Sequence, residues 1–161
     1  MPADPDSPAA QPGARLRSLG LVLPTPPTPL GSYVEVNQVG SLLFLSGTLP
    51  ILERRLAFTG RLGESLSTRQ GSEAARLAAL NALALVQEHL GTLDRVKRLV
   101  KLTVLMVTTE SFTEHAAVGD GASNLFAQLF GPETGHVRVV TGVQSLPIGA
   151  PVLVETLFEV E

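Results

Sequence analysis

From Thr68 to Leu90 the chain runs without a proline, and Ala74, the pair Leu77 and Ala78, Asn81, Leu85 and Glu88 recur at steps of three or four. Ala75, Ala82 and Val86 widen that stripe, so the segment is an amphipathic helix. Ser72 is its expected N-cap, and Gly91 stands where a helix ends in left-handed geometry. Alanines this dense on one face let the helix axis approach its partner closely, and a β-sheet offers the flat surface that suits it. Any fold for this chain must therefore place this helix on a sheet.

The remaining segments supply that sheet. Val96 to Val107 is rich in Val and Leu and reads as a central strand, with Lys97, Arg98 and Lys101 near its start. Glu114 to Phe130 is a second helix, its face formed by Val118, Ala122, Leu125, Phe126 and Leu129 and its end marked by Gly131-Pro132. Before the first helix, Tyr33–Val36 alternates, Gln38–Ser41 reads as a turn, Leu42–Ser46 is apolar, and Leu56–Phe58 is a short third strand. After the second helix come Val137–Gln144 and Val152–Val160, joined by the turn Leu146–Gly149. The order β-β-β-α-β-α-β-β predicts an α+β domain, a mixed sheet with two helices on one face. One layer of helices hides one side of a sheet. The last two strands are apolar on both sides, so the uncovered face predicts a homo-oligomer.

Eight of the twelve prolines fall within the first 29 residues. Residues 1–30 read as a Pro-rich disordered or extended tail, in which Arg15–Leu23 has the pattern of a short helical turn, and residues 31–161 as the domain. With 161 residues, 44% of them hydrophobic, the chain can bury a real core. It has no cysteine, which removes disulfides, thiol catalysis and Cys-based metal sites. A net charge of −3 without a basic cluster speaks against nucleic acid as a partner, as does the absence of Trp beside one Tyr and six Phe. Asp4 and Asp6 sit where a secretory signal carries positive charge. No apolar run approaches the roughly 20 residues of a membrane helix, so the expected location is cytoplasmic.

Arg138 is the first candidate for function. It lies one place into an apolar strand, after Gly135-His136, and a guanidinium at the mouth of such a strand suits bidentate recognition of a carboxylate or phosphate. The alternative is a structural ion pair with Glu155 or Glu159 on the last strand. Ser46-Gly47-Thr48 closes a central strand, and glycine there permits close backbone approach to a ligand. Tyr33, the one tyrosine, opens a strand. His89, His115 and His136 have no metal-ligand spacing, Glu114 and Asp120 read as solvated helix face, and no metal or cofactor is expected.

Taken together, GSYVEVNQVGSLLFLSGTLP, EAARLAALNALALVQEHLGTLDRVKRLVKLTVLMV and GHVRVVTGVQSLPIGAPVLVETLFEV resemble the Rid (YjgF, reactive intermediate deaminase) family, in the branch labelled YjgF-like endoribonuclease. The resemblance runs from about Pro29 to the C-terminus. It implies a chorismate-mutase-like fold, a homotrimer, and ligand clefts between subunits. It also implies that Arg138 holds the carboxylate of a small 2-imino or 2-keto acid, with Tyr33, Ser46 and Gly47 in the same cleft, and that the imine is hydrolysed without a cofactor. Deaminating members carry a water-orienting glutamate fifteen residues after the arginine. Here that position is Leu153, and Glu155, two residues on, is the substitute on the same strand. Asp120, Ser123 and Asn124 all lie near the position of the family's helix-borne asparagine. Two other readings follow: a trimer that binds small carboxylates without turnover, and, more weakly, an endoribonuclease.

Overall fold

A computed structural model describes residues 11–161. In chain order its elements are α1 (Pro12–Ser18), β1 (Val36–Val39), β2 (Leu42–Leu45), β3 (Ile51–Leu52), β4 (Arg55–Leu56), α2 (Thr68–Leu90), β5 (Val96–Val107), α3 (His115–Phe130), β6 (Val137–Val143) and β7 (Val152–Val160). Five strands form the main sheet in the order β1-β2-β7-β5-β6. Neighbours are antiparallel except β5 and β6, which run parallel and are joined through α3. The sheet is mixed, as the sequence predicts.

Alternation along the strands separates two environments. On β7, Val152, Val154, Thr156, Phe158 and Val160 are buried under the helices, while Leu153, Glu155 and Leu157 turn to the opposite face. Leu102, Val104 and Met106 extend the buried side onto β5. α2 lays Ala74, Ala75, Ala78 and Ala82 into this core, the close approach its composition predicts. The opposite face carries Val39, Phe44, Val137 and Val139, each between 44% and 66% exposed.

Four local expectations are corrected. The N-cap of α2 is Ser67 rather than Ser72: Ser67 accepts from the Gln70 backbone while the Gln70 side chain accepts from the Ser67 backbone, a reciprocal box that satisfies two free helix donors at once. The first strand starts at Val36, so Gln38 and Val39 pair in it and the turn shrinks to Gly40-Ser41, with Gly40 at φ 59°. The short third strand does not join the main sheet, because Leu56 pairs with Ile51 in a separate two-stranded ribbon. The lead-in, finally, is not tail throughout. Its first ten residues lie outside the described residues, but α1 starts with Pro12 at its N-terminus, ties the Gly13 amide to Asp94 at 2.8 Å, and is followed by Leu21 and Leu23 packed with Leu16 against the core.

Candidate functional site

Arg138 sits on β6, an edge strand, opposite Leu102 and therefore on the helix-facing side. Its guanidinium reaches α3. Nη1 donates to Asp120 Oδ1 at 2.7 Å and to Ser123 Oγ at 3.1 Å, while Nη2 reaches the Ala116 carbonyl at 3.5 Å. Neither Glu155 nor Glu159 is its partner. β5 lies between β6 and β7, and both glutamates belong to the other face of the sheet; Glu159 pairs instead with Arg98 at 2.7 Å. Asp120, expected to be mere solvated surface, is thus the counter-ion of the site, and its partner's side chain keeps 24% exposure.

Gly119 makes this seating possible. A Cβ there would stand 3.3 Å from Arg138 Nη1 and 2.8 Å from Val140 Cγ1, so the bare backbone leaves room for the guanidinium beside α3. Ser123 bridges onward, its Oγ lying 2.9 Å from His136 Nε2. Of the three helix candidates near this position, Asp120 and Ser123 touch Arg138, and Asn124 does not. Among the described residues Arg138 Nε and His136 Nδ1 have no hydrogen-bond partner. The proton affinity of His136 is lowered below the ordinary imidazole range, first by burial and then by the positive charge of Arg138.

That shift has a testable sign. The unfolded chain binds the His136 proton more tightly than the folded one, so the stability held by the neutral ring is fully present above the ordinary value of about 6.5 and is lost as pH falls from there through the lower folded value. Thermal melts of wild type and His136→Gln between about pH 5 and 8 are expected to diverge on the acid side, the wild type losing stability faster. A difference between them that does not vary with pH would contradict the assignment.

The other sequence candidates lie elsewhere. Tyr33 precedes the first strand rather than opening it, is half exposed, and its hydroxyl accepts from the Leu30 amide at 3.0 Å. It lines an open cavity of about 420 Å³ with Pro27, Glu35, Leu85 and His89. Ser46 is held by Glu35: its amide donates to the Glu35 carbonyl at 2.9 Å, and its hydroxyl donates to the Glu35 carboxylate. Leu153 lies against Gly47: a Cβ there would come within 2.6 Å of Leu153 Cδ2, so the leucine side chain would have to shift to admit one. Glu155 is exposed opposite Thr103 on the outer face. Within one chain, then, Arg138 occupies one edge of the sheet and Tyr33 with Ser46 the region of the other. A second cavity, of about 280 Å³, opens beside His136 at the C-terminal end of α3. Among the described residues no cluster of His, Asp and Glu could hold a metal ion, and no helix is long and apolar enough to cross a membrane.

The model of the family described as "YjgF/chorismate mutase-like, putative endoribonuclease" matches residues 13–160, a span that includes α1. The chain is 44% identical over 147 residues to Protein TCP17 of Trypanosoma cruzi, covering 91% of this chain and 92% of that protein. Its fold superposes with a TM-score of 0.90 on a "putative endoribonuclease" from Shewanella oneidensis MR-1, 34% identical, covering 94% of this chain and all of that one (100%). Escherichia coli TdcF, solved with bound serine, shares the fold at a TM-score of 0.62 and 21% identity, covering 87% of this chain and 96% of that one.

Proposed function

Because the chain belongs to the YjgF/chorismate mutase-like family, we propose that it takes small 2-imino or enamine acids in clefts between copies of itself and hydrolyses them to 2-keto acids, in the manner of Rid proteins. The observation that carries this reading is the state of Arg138. Asp120 and Ser123 engage one terminal nitrogen, which leaves Nε and the outer hydrogen of Nη2 as a two-toothed edge for a carboxylate. The serine bound by TdcF carries such a carboxylate.

The sites at opposite sheet edges meet only if a second copy brings its Tyr33, Ser46 and Gly47 to Arg138. The exposed Val39, Phe44, Val137 and Val139 are the surface we assign to that association, as a homotrimer. Chemistry then asks little of the protein. The imine carbon is already electrophilic; water adds to give a carbinolamine, the carbon–nitrogen bond breaks, and ammonia and the keto acid leave. Holding the carboxylate and excluding unproductive poses supplies the orientation. Glu155 of a neighbouring copy is the candidate for orienting water.

One contact favours a second reading, binding without turnover: Leu153 stands where deaminating relatives carry their acid, and it packs on Gly47. The endoribonuclease reading is weaker, since a net charge of −3 offers little to a phosphate backbone.

The test is ammonia release from freshly generated 2-iminopropanoate beside calorimetric titration with 2-ketobutyrate, on wild type and Arg138→Ala. Loss of a charged hydrogen-bonded pair costs about 1.5–3 kcal/mol, so ligand affinity is expected to fall on the order of tenfold to a hundredfold. Turnover that disappears in the variant supports the hydrolase; binding without turnover supports the second reading. Affinity untouched by Arg138→Ala would remove both.

A further inference from the structure

The last turn of α3, the first part of β5 and the loop from Gly131 to His136 enclose the cavity of about 280 Å³, and neither Arg138 nor Ser123 belongs to its wall. Its apolar side is made by Leu99, Phe126, Ala127 and Phe130. Phe126 and Phe130 stand one helical turn apart, their rings inclined by 13° with centres 6.3 Å apart. Phe158 meets both rings edge-on, at 5.7 and 6.0 Å, and is itself fully buried. The aromatic wall is thus fixed by the core behind it rather than shaped by an occupant.

The polar part of the cavity is small. No carboxylate, lysine or arginine lines it, and the polar side chains in its wall are those of Thr134 and His136. The Thr134 hydroxyl donates to the Gly131 carbonyl at 2.9 Å. His136 turns Nε2 to Ser123 Oγ at 2.9 Å, which leaves Nδ1 as the side-chain atom of the wall without a hydrogen-bond partner among the described residues. Burial and then the charge of Arg138 favour the neutral ring, in which Nδ1 is a donor or an acceptor according to the tautomer.

We propose that this cavity is a binding site for a small uncharged phenol, one or two aromatic rings bearing a hydroxyl. Each feature of the wall selects part of that ligand. Phe126 and Phe130 suit an aromatic ring in offset or edge-on contact, and a lining without a counter-ion disfavours a charged molecule, whose desolvation nothing would offset. A hydroxyl both gives and accepts a hydrogen bond, so it satisfies His136 Nδ1 in either tautomer. The volume falls near the lower end of small-molecule sites, which run from about 300 to 1,000 Å³, and this limits the ligand to one or two rings. Such a molecule has no need of Arg138, so its binding is independent of whether that residue holds a carboxylate.

The experiment is an amide NMR titration of the whole chain with phenol, 2-naphthol, toluene and benzoate, on wild type, Ala127→Leu and His136→Phe. Phenol and 2-naphthol are expected to give saturable shifts centred on Leu99, Ala127, Gly131 and His136, with 2-naphthol bound about tenfold more tightly for the apolar area of its second ring. Benzoate should leave these residues unmoved. Ala127→Leu keeps a strong helix former while filling the cavity, and should weaken 2-naphthol by about tenfold or more. His136→Phe removes Nδ1 but keeps a ring in place, so the ratio of phenol to toluene affinity should fall by about two- to tenfold, the worth of one hydrogen bond. Where a variant does not fold, the wild-type series decides. Shifts that do not saturate, that fall on the outer sheet face instead, or that benzoate reproduces at the same residues would overturn the site. A phenol-to-toluene ratio unchanged by His136→Phe would overturn the assignment of a phenol as its ligand.

Discussion

Gly121→Ala is expected to destabilise the fold by about 3 kcal/mol, at the upper end of overpacking costs. α3 crosses α2 at this residue so closely that a Cβ would lie 2.0 Å from the Ser72 carbonyl oxygen and 2.7 Å from its carbon. The obstacle is backbone, which cannot rotate aside as a side chain can. One effect opposes the loss: alanine is the better helix former by about 1 kcal/mol. It does not prevail, because relieving the clash requires the two helices to part, and both bury apolar faces in the shared core. For a chain of this size the change corresponds to a fall in Tm of roughly 6–12 °C. A melt of the variant at or above the wild-type Tm would show that the crossing has slack the geometry does not reveal.

That crossing also marks where sequence reasoning stops. The long helix, the strand after it, the second helix and the two last strands follow from periodicity, because apolar spacing and burial report the same thing along a single element. Close approach between elements leaves a fainter trace. Gly121 interrupts α3 with no local purpose, and only the facing Ser72 explains it; Gly119 likewise reads as a weak point in a helix until Arg138 is seen lying on it. Ser72 is one wall of the crossing rather than a cap, whereas the Ser67-to-Gln70 spacing carries the capping signal. Pro12 at the head of α1 has the same character of a helix start, but its place among the eight prolines of the first 29 residues points to an extended chain.

The site shows a similar division. Arg138 was legible because a charge in an apolar strand needs a reason. Its partners were not, since they depend on strand order: with β5 between β6 and β7, Glu155 and Glu159 are out of its reach and Asp120 on α3 becomes the counter-ion. The Ser123–His136 contact joins residues thirteen apart across a loop, and no spacing rule announces it. Gly47 stood out as a point of close approach, but what approaches it within the chain is Leu153.

Phe158→Ala should be the costliest single truncation, about 3–5 kcal/mol and roughly 10–15 °C in Tm. Phe158 is fully buried (0% exposed) on β7, at the centre of the main sheet. It meets Phe126 edge-on at 5.7 Å and Phe130 at 6.0 Å between ring centres, and those two rings stack on each other at 6.3 Å. Deleting the ring removes its transfer energy, both edge-to-face contacts and the support of the pair above it. Phe158→Leu, which keeps most of the volume, should cost less than half as much. Equal losses for the two variants would mean that aromatic geometry rather than filled space sustains this part of the core.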